Sequence, residues 1–164
     1  MKKYEFTGET KRVELWNRTA TLHRIKATVE FGFVKVGELG GWIEKEENLS
    51  HEGKAWVCDD AKVCGDAKVW GNAKVCGDAE VCGDAEVFLA SHVLVMGSVG
   101  SRNDFTTFFR DKDNEITVKC GCFLGKIDKF LEKVTQTHGN NKYALVYRAA
   151  VEVAKLQIEL TERK

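Results

Sequence analysis

From residue 53 to residue 94 the chain alternates small or branched apolar positions with charged ones on a beat of six. The units are GKAWVC (53–58), DDAKVC (59–64), GDAKVW (65–70), GNAKVC (71–76), GDAEVC (77–82), GDAEVF (83–88) and a degraded LASHVL (89–94). Within a unit, Ala and Val stand two apart and share one face of a strand, while the Lys or Glu between them faces the other way. Gly-Asp or Gly-Asn supplies a corner, since Gly accepts positive φ and the Asx side chain bonds the turning backbone. A fixed short period is the signature of a solenoid, here a coil of short parallel strands.

The flanks carry other patterns. KRVELW (11–16) and TLHRIKATVEF (21–31) alternate as strands and predict a hairpin turning near Asn17. FTTFFRDKDNEITVKCGCF (105–123) predicts two strands around a polar turn at Asp111–Glu115. After Gly125, Ile127, Phe130, Leu131 and Val134 share one helical face, and Gly139 can end that helix. Asn140 or Asn141 can cap a second helix running to about Leu160, with Leu145, Ala149, Val153, Leu156 and Leu160 as its apolar stripe.

The GDAxV repeat resembles the hexapeptide-repeat left-handed β-helix, in which three hexads make one triangular coil. That resemblance implies residues 18 apart stacking about 4.8 Å from one another. Lys62 then lies over Glu80 and Lys68 over Glu86, while Cys58/Cys76, Cys64/Cys82 and Trp70/Phe88 form outward columns. It also implies a homotrimer, with Trp70 and Phe88 as the association surface. Seven hexads are too few to bury a core unaided, so end caps or self-association are required. The segment around Gly40, Gly41, Trp42, Ile43, Glu52, Gly53, Trp56 and Val57 resembles the entry segment of uncharacterised bacterial and phage proteins of this kind. Trp42 and Trp56 are large enough to plug the open end of a prism.

The expected class is therefore mainly β with a C-terminal α+β module. An N-terminal strand cap covers 1–42, a short left-handed parallel β-helix 43–95, and the α+β module 96–164.

Charge narrows the partners. Lys plus Arg and Asp plus Glu are equal at 25 each, which argues against a binder of nucleic-acid polymers. No apolar run spans a bilayer and MKKYEFTGET has no h-region, so a cytoplasmic protein, in the host cell if phage-encoded, is expected. In a reducing compartment the six cysteines are then free thiols used as small apolar residues. Neither their spacing nor that of Asp60, Asp66, Asp78 and Asp84 suits zinc or repeat-bound calcium, so no metal or cofactor is expected.

The candidate chemistry lies in MGSVGSRND (96–104). Gly-Ser amides can cradle an anion and Arg102 can grip a phosphate or carboxylate bidentately. The blocks GSRND, TTFFR, CGCF and HGNNKYA resemble a C-terminal unit of uncharacterised phage-type proteins, whose matching residues include Ser101, Arg102, Thr106, Thr107, Arg110, Cys122, His138 and Tyr143. The expected ligand set is Gly100, Ser101, Arg102, Asn103, Thr107, Arg110 and Tyr143. His51 and His92 are placed where a hexapeptide acyltransferase would hold its base, but structural polar surface is the reading of both, and His138 is a helix-terminal residue. The function expected is a non-enzymatic, oligomeric sequesterer of a small anionic, nucleotide-like ligand in an anti-defence setting. The alternatives are an inhibitor or adaptor acting on a host protein, and a minimal acyltransferase.

Overall fold

The computed structural model describes residues 2–15, 18–121 and 123–160. It is a β-rich α+β chain. β1 (Tyr4–Leu15) and β2 (Arg18–Ala27) pair antiparallel, with an irregularity between Phe6 and Thr10. The turn expected near Asn17 lies outside the described residues. β3 (Leu39–Ile43) adds antiparallel to β2, and then parallel pairing begins: β5 (Lys62–Val63) joins β3, and β8 (Glu80–Val81) joins β5. β4 (Trp56–Val57) pairs with β7 (Lys74–Val75), and β6 (Lys68–Val69) with β9 (Glu86–Val87). β10 (Val93–Val99), β11 (Asp104–Arg110), β12 (Ile116–Cys120) and β13 (Phe123–Lys126) form an antiparallel meander. Two helices follow, α1 (Ile127–His138) and α2 (Lys142–Gln157).

The expected left-handed parallel β-helix is corrected at the level of class. Among the described residues the strands make several small sheets: one mixed five-stranded sheet, one antiparallel four-stranded sheet and two parallel pairs, with no parallel solenoid. Each hexad supplies only two extended residues, so most strand residues belong to segments outside the repeat, and those pair antiparallel. The pairing at eighteen residues is nonetheless present locally, with Lys62 opposite Glu80 and Lys68 opposite Glu86.

That register puts the Ala and Val of the first six hexads inward. Val57, Val63, Val69, Val75, Val81 and Val87 are all buried together with the alanines that precede them. Each such valine contributes about 1.5–3 kcal/mol of burial, and each alanine methyl less. Asn48, completely buried, holds the approach to this core: its amide donates to the carbonyls of Gly65 (3.1 Å) and Ala67 (2.9 Å) and accepts from the N–H groups of Glu44 and Lys45. Trp56 joins this core, whereas Trp42 packs outside it with Ala20, Leu22, Cys64 and Cys82. Lys11 lies 4.3 Å above the Trp42 ring.

The cysteines correct a second expectation. Cys58–Cys76 and Cys64–Cys82 are disulfides rather than free thiols. Parallel pairing at eighteen residues sets each pair of Cα atoms 4.7 Å apart, inside the range a disulfide bridges. Cys120 is free, and Cys122 lies outside the described residues.

A second core joins the meander to the helices through Phe108, Val118, Phe130, Val134, Tyr147 and Val151. Asn141 caps α2, its side chain accepting from the Ala144 N–H at 3.1 Å. The apolar stripe expected to bury α2 faces outward: Leu145 is 60% and Leu156 88% exposed, while Ala144, Tyr147, Ala150, Val151 and Ala154 face the sheet. No helix among the described residues is long and apolar enough to cross a membrane.

Candidate functional site

β10 and β11 are joined by the glycine-serine loop. Its turn is closed by the Asn103 N–H bonding the Gly100 carbonyl (3.2 Å) and by the Ser98 hydroxyl donating to the Asn103 carbonyl (2.6 Å). Gly100 has a φ of 79° and lies directly beneath the Tyr147 hydroxyl, where any β-carbon would collide. Glycine is thus required both by conformation and by the approach of α2.

This contact makes a cavity. Ser101, Arg102 and Asp104 from the loop, Thr106 and Cys120 from the sheet, and Lys133, His138 and Tyr147 from the helices surround about 140 Å³. Thr106, 1% exposed, donates its hydroxyl to the Cys120 sulfur at 3.4 Å. The Tyr147 hydroxyl is also under the electrostatic influence of the Cys120 sulfur. Burial first, and then the Cys120 sulfur, push the Tyr147 hydroxyl up to about 12, with Arg102 acting the other way. Tyr147 is therefore a neutral donor here at any ordinary pH. The His138 ring stacks on Tyr147 with centroids 5.9 Å apart. Among the described residues no hydrogen bond or ion pair engages the Arg102 guanidinium, which passes over Gly121.

The expected ligand set divides. Gly100, Ser101 and Arg102 lie at the cavity, and Asn103 completes the adjoining turn. Thr107 does not: strand alternation turns it to the other face, where its buried hydroxyl accepts from the Glu80 N–H at 3.0 Å. Arg110 stands at the far end of β11, roughly 20 Å along the strand from Asp104. It donates to the Glu86 carbonyl (2.8 Å) and lies 5.1 Å over the Phe88 ring. Tyr143 is one helical turn before Tyr147 and touches His138 with ring centroids 5.6 Å apart. Cys120, Lys133 and Tyr147 were not among the expected residues. The i,i+4 spacing of Tyr143 and Tyr147 is the signal that would have found the last.

Trp70 and Phe88 stack at 5.0 Å and are half-buried rather than a bare outward stripe, because His92 and Arg110 cover Phe88. His92 is 1% exposed, a correction to its expected place on the surface. Its Nδ1 accepts from the N–H groups of Phe88 (3.1 Å) and Leu89 (3.2 Å). Burial and then Arg110 hold its pKa below the usual histidine value. His51 Nδ1 accepts from the Lys3 N–H at 3.0 Å, and its ring stacks on Tyr4. Both rings are occupied in holding backbone.

A larger cavity of about 480 Å³ lies between the first hairpin and the meander, lined by Arg18, Glu44, Lys45, Asp66, Asp84 and Lys119 among others. Its charges are already matched: Arg18 grips Glu44 through two nitrogens (2.7 and 2.9 Å), Lys45 meets Asp66 (3.0 Å), and Lys119 meets Glu80 (3.0 Å). The smaller cavity is the one with an uncommitted guanidinium.

No protein-family model matches the chain, and no curated protein sequence matches it. The likeness to hexapeptide-repeat proteins and to uncharacterised phage or bacterial relatives is accordingly withdrawn along with the β-helix.

Proposed function

We propose that the protein is a binding protein for a small anionic ligand, held at the glycine-serine loop with Arg102 as the principal anion contact. The carrying observation is an unpaired Arg102 at the mouth of a cavity that also offers the Ser101 and Tyr147 hydroxyls and the Lys133 ammonium. Paired with a phosphate or carboxylate, a guanidinium makes charge-assisted bonds about twice as strong as neutral ones. A volume of about 140 Å³ is below the roughly 300 Å³ typical of whole-ligand pockets. It suits the anionic head of a ligand, with the remainder, such as a nucleoside, lying along the C-terminal turn of α1 by Lys133 and Thr137. Asp104 beside the cavity disfavours a ligand of uniformly dense negative charge.

Isothermal titration with inorganic phosphate, nucleoside monophosphates, cyclic nucleotides and the unphosphorylated nucleosides tests this reading. Binding of phosphorylated members with silent nucleosides is expected, and Arg102→Ala should weaken it by about tenfold or more, or roughly 1.4 kcal/mol. Uniformly silent titrations, or affinity indifferent to Arg102→Ala, overturn it.

A further inference from the structure

One corner of the repeat breaks its own rule. Gly53, Gly65, Gly71, Gly77 and Gly83 turn the chain with φ between 63° and 72°. At the equivalent place after Cys58 stands Asp59, with φ 55°. A non-glycine residue in that conformation costs about 1 kcal/mol or more. Local rules are broken where a side chain has another task. The Asp59 carboxylate is exposed and faces the Cys58–Cys76 pair: one carboxylate oxygen and the two sulfurs all lie within 4.8 Å of one another. Its Oδ2 accepts the Gly77 N–H at 3.0 Å, which fixes the carboxylate's direction. The sister disulfide, Cys64–Cys82, has glycine at the corresponding corner, Gly65, and the carboxylate at that corner, Glu44, accepts the Gly65 N–H and is gripped through both oxygens by Arg18.

We propose that Cys58, Asp59 and Cys76 are a redox-gated site for a thiophilic divalent cation of the zinc class. In the disulfide form the sulfurs are bonded to each other and the site is closed. Two electrons from a phosphine reductant cleave the S–S bond; water supplies the oxygen of the phosphine oxide and a proton for each sulfur. The cation then displaces the two thiol protons and takes both thiolates with the Asp59 carboxylate. Zinc–sulfur bonds of about 2.3 Å and zinc–oxygen bonds of about 2.0–2.2 Å fit donors so placed, with a fourth position open to water. Thiolate donors select zinc-like over hard cations. Ligand-spacing rules miss the site because two of its donors meet across paired strands rather than along one segment. The half-buried cysteines also wall an adjoining cavity of about 550 Å³ with Phe33, Trp56 and Lys74, which gives a cation or its exogenous ligand access.

The test uses the full chain carrying Cys120→Ser and Cys122→Ser, so that only the repeat cysteines remain. Cobalt(II) is titrated into phosphine-reduced and into oxidised protein, following sulfur-to-metal charge-transfer absorption and its displacement by zinc. A single equivalent bound by the reduced form, and none by the oxidised form, is expected. Asp59→Gly should fold at least as stably, since it restores the corner residue, yet bind about tenfold more weakly or worse. Cys64→Ser with Cys82→Ser should leave the signal intact, and Cys58→Ser with Cys76→Ser should abolish it. Equal binding by Asp59→Gly, equal binding by oxidised protein, a signal that follows Cys64 and Cys82, or a reduced chain that unfolds or stays silent overturns the proposal.

Discussion

Among single residues, His92 carries the clearest dependence on conditions. Its folded pKa lies below the ordinary 6.5 because burial and Arg110 disfavour the imidazolium. Between that folded value and 6.5 the unfolded chain binds the proton and the folded chain does not, so stability is lost as pH falls through this window. Urea midpoints should therefore drop between about pH 7 and about pH 5, and the drop should be smaller in His92→Gln. His51 is shifted the same way by burial, so the difference between the two proteins, rather than either slope, is the readout. An unchanged slope would remove this role from His92. Little of this was legible in the sequence. A histidine in a degraded hexad gives no sign that its ring will fold back onto the amides of Phe88 and Leu89. Asn48 is similar: its four backbone partners lie up to 19 residues away, and nothing local distinguishes it from a surface asparagine.

For the elements, legibility followed period. The repeat's Ala and Val positions were readable because period two assigns faces without knowledge of the partner strand. The parallel pairs at eighteen residues followed from the same pattern, whereas the class of the assembly did not, because it is decided by antiparallel strands outside the repeat. α2 was misread for a related reason. Its larger apolar residues, Leu145, Val153 and Leu156, lie outward, and the buried face is built from alanines and Tyr147. Small residues let the helix approach the sheet closely, and hydrophobic size misleads where close approach decides. The two elements therefore respond oppositely to truncation. Val75→Ala, at a fully buried position, should cost about 2–3 kcal/mol in chemical denaturation. Leu145→Ser should stay within about 0.5 kcal/mol of the parent. A reversal of that order would refute the assigned faces. The same limit shaped the site: the glycine-serine loop is visible by composition, but grouping Thr107 and Arg110 with it requires the TTFFR strand to converge on the loop, and alternation and strand length separate them.

On the scale of the whole molecule, the repeat and the meander are sewn together at many points. Phe109 is buried among the repeat's valines, Ala85 bridges Asp111, and the Lys112 N–H bonds the Asp84 carbonyl at 2.9 Å. Arg110 reaches the Glu86 carbonyl, the Glu80 N–H reaches Thr107, and Lys119 pairs with Glu80. Asp111, 3% exposed, organises the turn behind them. It accepts from the Asp113 and Glu115 N–H groups and the Thr117 hydroxyl, with Lys126 beside it. For Lys126, burial opposes the charge, but its bonds to Asp113, Glu115 and Asp111 outweigh that and raise its pKa. Coupled this way, the two cores should melt in one calorimetric transition, and two resolved transitions would show that the stitching is weaker than drawn.

The exposed turn at Ser101–Asn103 has a further consequence. It joins β10 to β11 inside the meander, while the pairing of Val93–Met96 with Thr106–Phe109 that holds those two strands together lies outside it. A protease nick there would leave a two-chain complex of nearly native shape in which Arg102, the proposed anion contact, is no longer held by a closed turn, so a single cut would switch off the proposed binding without dismantling the scaffold.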